Sequence, residues 1–372
     1  MKKVLHIITG LNDGGAEGAL FRLIQHTKYE IEHTVVSLTG AGKYKALLEA
    51  EGIRVECLEF GKFNFIARFY RLILIIRTKR ADAVQTWLYH ADLLGGLACF
   101  FTKQKNLFWG IRQADFDIKA IKWPMRVVMS ACAFFSNVLP KAHITCATAA
   151  VSSHQKIGYS GEFVVIPNGY DLEKLSPQPS HRETLLGPNI SERQLIFGMV
   201  ARFDPAKDHA NLLNAFAVLL DNTNENCKLL LVGKGCDTEN ATLTTKIREL
   251  GIEPHVILLG QSDNISLVMS CLDFHVLSSE YEGFPNVIAE AMSCGVPCIS
   301  TAVGDAHLII GDAGWLVPAK NRELLAQAMI DATKLRLDLQ SWDKLKERCR
   351  QRIQDNFSLD AMATNFKKVW FK

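Results

Sequence analysis

The sequence predicts an α/β protein made of two doubly wound, mainly parallel sheets. Three observations carry this. Short β-branched, apolar runs alternate with amphipathic segments along the chain of 372 residues, the pattern of successive βαβ units. The alternation pauses once, in the polar, proline-bearing stretch 176–189, and then resumes. Glycines cluster just after strand-like runs, at Gly14-Gly15 and Gly233-Lys234-Gly235, where backbone must turn tightly or lie close to a ligand.

In order, the first series of strands is expected at 4–9, 34–38, 55–60, 83–87, 107–111, 144–148 and 164–167, with amphipathic helices such as 17–26 and 43–51 between them. The opening run is too short for a signal peptide and reads as the first strand. Pro167-Asn168-Gly169 is turn chemistry and marks a boundary. The second series is expected at 196–201, 228–232, 256–259, 274–277, 297–300 and 315–317. The tail from 341 is helical, broken at Phe357-Ser358-Leu359-Asp360. The expected domains are therefore 1–168, a linker 169–193, and 194–357, with a last helix near 358–372 packing back on the first.

Composition is that of a globular protein, 48% apolar and 22% charged. Charge is uneven: residues 1–170 carry 21 Lys and Arg against 13 Asp and Glu, and the remainder 21 against 26. A basic first half suits an anionic partner, whether membrane, nucleic acid or substrate, and equally a scatter of solvated charges. The ten cysteines form no CxxC pair and mostly sit in apolar runs, as reduced core residues of a cytoplasmic protein do. No stretch reaches the roughly 18 apolar residues that a membrane span needs.

The stretch with most chemistry is 278–301. A strand ends at Ser278-Ser279, a polar loop follows, and Pro285 fits the first turn of a helix. Val287, Ile288, Ala291 and Met292 make its buried face, and Gly295 its stop. Glu282 and Glu290 flank a helix N-terminus, whose free N–H groups make an anion seat. An anion seat between two hydroxyl acceptors suits a nucleotide sugar. Arg202 and Lys207, around a turn at Asp204-Pro205, could converge on a diphosphate or be solvated surface charges. Gly233 ends a buried strand, as cleft-lining glycines do, or simply turns it.

In the first half, the Gly14-Gly15 loop fits neither a dinucleotide fingerprint nor a Walker loop. His90 follows a strand end and could polarise a reacting hydroxyl, or be structural. Arg112 also lies at a strand end. Asp115-Phe116-Asp117 matches the D-x-D of metal-dependent sugar transfer, but it lies in the basic half, away from the anion seat, and a metal is not expected. Segments 62–80 and 119–126 interleave basic and aromatic residues. Such helices lie on anionic membranes or form core helices with a basic solvated face.

The run EGFPNVIAE from Glu282 to Glu290 resembles the E-x7-E motif of glycosyltransferase family 4, retaining enzymes of the GT-B fold. GGAE near the start, VIPNGY ending at Tyr170, ARFDPAKDH and DAGWLVPAKN are similar to further family motifs, so that the resemblance covers nearly the whole chain. It implies two Rossmann-like doubly wound domains facing across a cleft. It implies that Glu282, Arg202 and Lys207 act in catalysis, with His90 a further catalytic candidate. Gly14, Gly15, Gly233, Gly283, Phe284, Pro285, Asn286, Val287 and Glu290 would bind the donor. Glu282 would contact the transferred sugar, Glu290 the ribose, and Arg202 and Lys207 the leaving diphosphate.

Two departures stand out. Ile111-Arg112 replaces a frequent histidine, leaving the acceptor-side contact open between His90 and Arg112. Asp208 replaces the usual glycine after the lysine. The expected reaction is metal-independent transfer, without cofactor, from a UDP-sugar or similar donor to a cell-envelope glycan or lipid-linked saccharide. A UDP-sugar epimerase and a non-catalytic nucleotide-sugar-binding protein are the alternatives. Peripheral contact with an anionic membrane from the cytoplasmic side is expected, and no nucleic-acid partner.

Overall fold

Strands buried on both faces read as continuous apolar runs and pair in parallel, and both sheets here do so. The computed structural model describes residues 1–61, 63–113, 121–178, 182–187 and 194–372. They form two units, residues 1–169 with 359–372, and residues 170–358.

The first unit holds β1 (Lys2–Ile8), β2 (Ile31–Ser37), β3 (Arg54–Cys57), β4 (Ala83–Trp87), β5 (Leu107–Ile111), β6 (Ala142–Thr145) and β7 (Phe163–Val165). Their order is β3-β2-β1-β4-β5-β6-β7. Every pairing is parallel; Val4 on β1 lies opposite His33 on β2 and Ala83 on β4. The helix Leu359–Trp370 closes this unit's core. Its Phe366 ring lies 6.0 Å from that of Trp87, and Trp370 Nε1 donates to Gln85 Oε1 at 3.0 Å.

The second unit holds β8 (Leu195–Val200), β9 (Cys227–Val232), β10 (Val256–Gly260), β11 (Phe274–Leu277), β12 (Cys298–Thr301) and β13 (Gly314–Val317). They run in the order β10-β9-β8-β11-β12-β13, again all parallel. Counted within the unit this is 3-2-1-4-5-6, the Rossmann order. Winding reverses between β8 and β11, and likewise between β1 and β4 in the first unit. Open α/β sheets bind ligands at the carboxyl ends of strands beside such a reversal.

Several expected boundaries shift. The strand expected at 55–60 ends at Cys57, because Glu59 turns to a φ of 53°. Leu58 and Phe60 still donate to the carbonyls of Ser37 and Leu38. The strand expected at 144–148 ends at Thr145, and Thr148 opens the helix Thr148–Lys156. The first residues of the expected linker are held by the second unit: Arg350 donates to the carbonyls of Leu172 at 2.8 Å and Leu175 at 3.0 Å. Residues 182–186 form a short helix, Arg182–Leu186, with Arg182 paired to Asp273 at 2.8 Å. Linker residues 179–181 and 188–193, the Asp115-Phe116-Asp117 motif, Lys62 and Lys119 lie outside the described residues. The tail is two helices, Leu339–Asn356 and Leu359–Trp370. All ten cysteines are unbridged, and nine are buried.

Candidate active site

In the second unit, the turn after β8 and the loop after β11 meet beside the reversal. Pro205–Lys207 form one 3-10 turn, opened by Asp204, whose carboxylate accepts from Ala206 N at 3.0 Å. The β11 loop grips that turn by its backbone. Ser278 Oγ lies 2.9 Å from the carbonyls of both Lys207 and Asp208, and Glu280 N donates to Ala206 O at 2.8 Å. So held, the Lys207 ammonium reaches Glu282 and pairs with it. Ser279 Oγ donates to the same Glu282 oxygen at 2.8 Å. The side chains of Lys207 and Glu282 are only 20% and 12% exposed, so solvent screens this pair weakly.

Past Glu282 the chain enters the helix Asn286–Ser293. Pro285 sits at its N-cap rather than in its first turn, and no side chain caps the helix. Its first N–H groups therefore keep the partial positive charge of a helix start. Asn286 accepts from Tyr170 Oη at 2.5 Å. Phe284 is buried, its ring 5.9 Å from that of Phe357. The buried face is Ile288, Ala289, Ala291 and Met292; Val287, expected in it, is half-exposed. Glu290 is half-buried on the same helix. Gly295, at a φ of 72°, stops it.

Two glycines let the surrounding backbones close. A Cβ on Gly233 would lie 2.2 Å from Ala201 O, so the end of β9 can approach the end of β8 only without a side chain. A Cβ on Gly304 would lie 2.3 Å from Gly283 O and 2.4 Å from Glu282 O. The turn after β12 thus braces the Glu282 loop, and Asp305 N donates to Gly283 O at 2.9 Å.

Arg202 and Lys207, expected to converge, are held by different carboxylates. Arg202 pairs with Asp204 at 3.2 Å, and its side chain is 68% exposed. Beneath the lysine, burial pushes the His275 imidazole down to about 3, and the Lys207 charge adds to that. Asp208 occupies the left-handed region, at φ 46°, and caps the helix His209–Asp221 by accepting from Asn211 N at 3.1 Å. Aspartate tolerates this conformation better than most residues, which explains how it stands in for glycine.

In the first unit the loop after β1 and the chain after β4 occupy the equivalent edge. Gly14 is the N-cap of the helix Gly15–Thr27, with φ −156° and ψ 165°. That is extended backbone open to any residue, so these glycines serve by lacking a side chain, not by unusual torsions. His90 lies in the first turn of the helix Tyr89–Thr102 and is half-buried; burial lowers its pKa. The preceding Leu88 holds a φ of 75°, a strained conformation for leucine. Asp92 is fully buried and accepts from Thr86 Oγ1 at 2.5 Å and Gly110 N at 3.2 Å; burial raises its pKa to about 8.

Arg112 stacks its guanidinium over Trp87, 4.3 Å from the ring centroid, with Phe366 at 5.8 Å. Its Nη1 donates to Asn168 Oδ1 at 3.1 Å. This contact set ties β5 to the closing helix, a packing role that its place at a strand end did not announce. Among the described residues no group of three His, Cys, Asp or Glu side chains forms a metal-ligand cluster.

Sequence reasoning gave Ser278 and Ser279 only a strand end and Asp204 only a turn, and did not name Gly304; all four position named residues. Ser279 and Glu282 are three apart, a spacing that could have been noticed; the bracing by Gly304 joins two loops distant in sequence and left no local signal.

Residues 183–355 match the model of the glycosyl transferases group 1 family. N-acetyl-alpha-D-glucosaminyl L-malate synthase of Bacillus anthracis is 32% identical over 49% of this chain and 46% of its own length. The UDP-Gal:alpha-D-GlcNAc-diphosphoundecaprenol alpha-1,3-galactosyltransferase of Escherichia coli is 26% identical over 55% of this chain and 53% of its own. The chain therefore spans about half the length of these two curated relatives. The crystal structure of Anabaena Alr3699/HepE in complex with UDP superposes with a TM-score of 0.85, at 20% identity, over 99% of both chains. Residues 183–355 thus match a glycosyl transferases group 1 domain, and the chain has the GT-B fold.

Proposed function

We propose that this enzyme moves a sugar from a UDP-sugar to a cell-envelope glycan or lipid-linked saccharide, with retention of configuration and without a metal ion. The observation that carries the reading is the meeting of Lys207 and Glu282 beside the sheet reversal, just before an uncapped helix. Breaking the sugar–phosphate bond places negative charge on the leaving diphosphate. The helix start, the amides of Gly283 and Asn286, and the cations Lys207 and Arg202 favour that charge. Glu282 accepts from hydroxyls of the transferred sugar, and Glu290 from the ribose. The bound diphosphate competes with Glu282 for Lys207, which frees the carboxylate for the sugar. Retention follows from attack on the face the diphosphate leaves, with a leaving-group oxygen taking the acceptor's proton.

UDP is favoured by the nucleotide that the Anabaena structure holds, and a lipid-linked acceptor by the name of the Escherichia coli relative. Gly14 and Gly15 serve the donor phosphates, and His90 the acceptor hydroxyl. Such an acceptor places the enzyme peripherally on the cytoplasmic face of the membrane.

Thermal-shift measurements with UDP, GDP and ADP, followed by mass spectrometry of products from a donor panel with lipid-linked acceptors, test the reading. UDP stabilises the protein and a glycosylated acceptor forms. Glu290→Gln abolishes transfer and leaves the melting temperature near that of the parent. No nucleotide response together with no turnover of any sugar nucleotide refutes the reading, and conversion of donor alone to an isomer would make the enzyme an epimerase.

A further inference from the structure

Three helices of the first unit, Phe65–Lys79, Tyr89–Thr102 and Trp123–Phe135, pack side by side and leave large apolar residues in solvent. On the first, Ile66, Tyr70 and Leu74 recur every four residues, one face of a helix, and all three are exposed. The second ends in exposed Phe100 and Phe101, and Phe101 meets Phe69 of the first edge-on, with centroids 6.2 Å apart. On the third, Trp123, Val127 and Phe134 fall on one face; Trp123 and Phe134 are 75% and 79% exposed. Exposed apolar side chains gathered on neighbouring helices mark a surface that another phase or molecule covers.

Charge selects the occupant. These three helices carry five Lys and Arg and a single acidic residue, Asp92, which is buried. Exposed Arg80, Lys103 and Lys122 flank their ends. A second copy of this face would set cation against cation. Arg71 pairs with Glu56 at 3.6 Å; the other cations beside these aromatic side chains match the boundary of an anionic bilayer, where rings enter the headgroup region and Lys and Arg meet lipid phosphates. No helix among the described residues is long and apolar enough to cross a membrane, so the contact lies along the surface.

We propose that this three-helix face is the docking surface for an anionic phospholipid bilayer. The assignment rests on the reading of a membrane-side transferase and gives it a location on the molecule. Vesicle sedimentation of the full chain, with neither donor nor acceptor, tests it. One vesicle type is phosphatidylcholine; the other is two parts phosphatidylcholine to one part phosphatidylglycerol. The parent sediments with the anionic vesicles and at least about tenfold more weakly with the neutral ones. Ile66→Ser/Tyr70→Ser/Phe100→Ser, and separately Arg77→Glu/Arg80→Glu, lower anionic-vesicle binding about tenfold at an unchanged melting temperature. Binding unaltered in both variants, equal binding to both vesicle types, no binding of the parent, or a stable dimer dissolved by the same substitutions overturns the proposal. If vesicles bind but no sugar nucleotide is turned over, the transferase reading fails and this one stands.

Discussion

Lys207 and Glu282 hold each other within a partly desolvated loop, so removing one strands the other. Lys207→Ala takes the cation from Glu282 and leaves the Ser279 hydroxyl on it, and is expected to cost about 1–3 kcal/mol of stability in urea unfolding. In the proposed reaction it also removes a cation that favours the leaving diphosphate, so that kcat falls about 10²–10³-fold, read in a coupled UDP-release assay. Arg202→Ala, on an exposed residue whose ion pair lies across its own turn, lowers kcat without measurable loss of stability. Asp208 separates two contributions at one position. Asp208→Gly loses the cap but suits a φ of 46°, and changes stability by less than about 1 kcal/mol; Asp208→Val loses both and costs about 2–3 kcal/mol. Equal effects of the two substitutions in urea unfolding would contradict this account.

At the scale of elements, the site exists because loops from different strands press together. Gly304 has the stricter requirement, since its φ of 52° and two carbonyls within 2.4 Å both exclude a side chain. Gly304→Ala is expected to cost about 2–4 kcal/mol and to shift the Glu282 loop. The measurement is donor KM alongside urea unfolding: KM rises with the destabilisation, whereas a purely structural defect lowers stability and leaves KM unchanged. Gly52, whose added Cβ meets nothing within 4 Å, provides a control with a positive φ but no contact, and Gly52→Ala costs about 1 kcal/mol.

At the scale of the molecule, buried titratable groups set the pH range. Burial lowers the pKa of His33, His154 and His209 to about 4 and of His275 to about 3. Unfolded histidines take up protons below 6.5 while these stay neutral, so stability is full above that pH and is lost as pH falls toward 4. Asp92 has the opposite sign. Its folded pKa is raised from 3.8 to about 8, so its contribution is full below 3.8 and is lost as pH rises through 8. The buried histidines outnumber the raised carboxyls on the acid side, and Asp92 carries its titration up to about 8. Urea midpoints across this range should peak near neutrality, and Asp92→Asn should flatten the alkaline fall. An alkaline slope unchanged in that variant would show that Asp92 is not its source.

The sequence by itself determined the two parallel sheets, because strands covered on both faces must be apolar along their length and helices between them must be amphipathic. It also determined the chemistry of the 282–290 stretch, since carboxylates, a loop and a helix start are local in the chain. Tertiary structure alone decided what those residues meet. Lys207 faces Glu282 because β8 and β11 are neighbours, a pairing across 75 residues that no local pattern encodes. Arg112 packs on Trp87 and Phe366 for the same reason: a cation goes to the ring that the fold supplies. Strand ends were predicted less closely than strand centres, because one residue such as Glu59 in a left-handed conformation ends a strand without altering its apolar pattern.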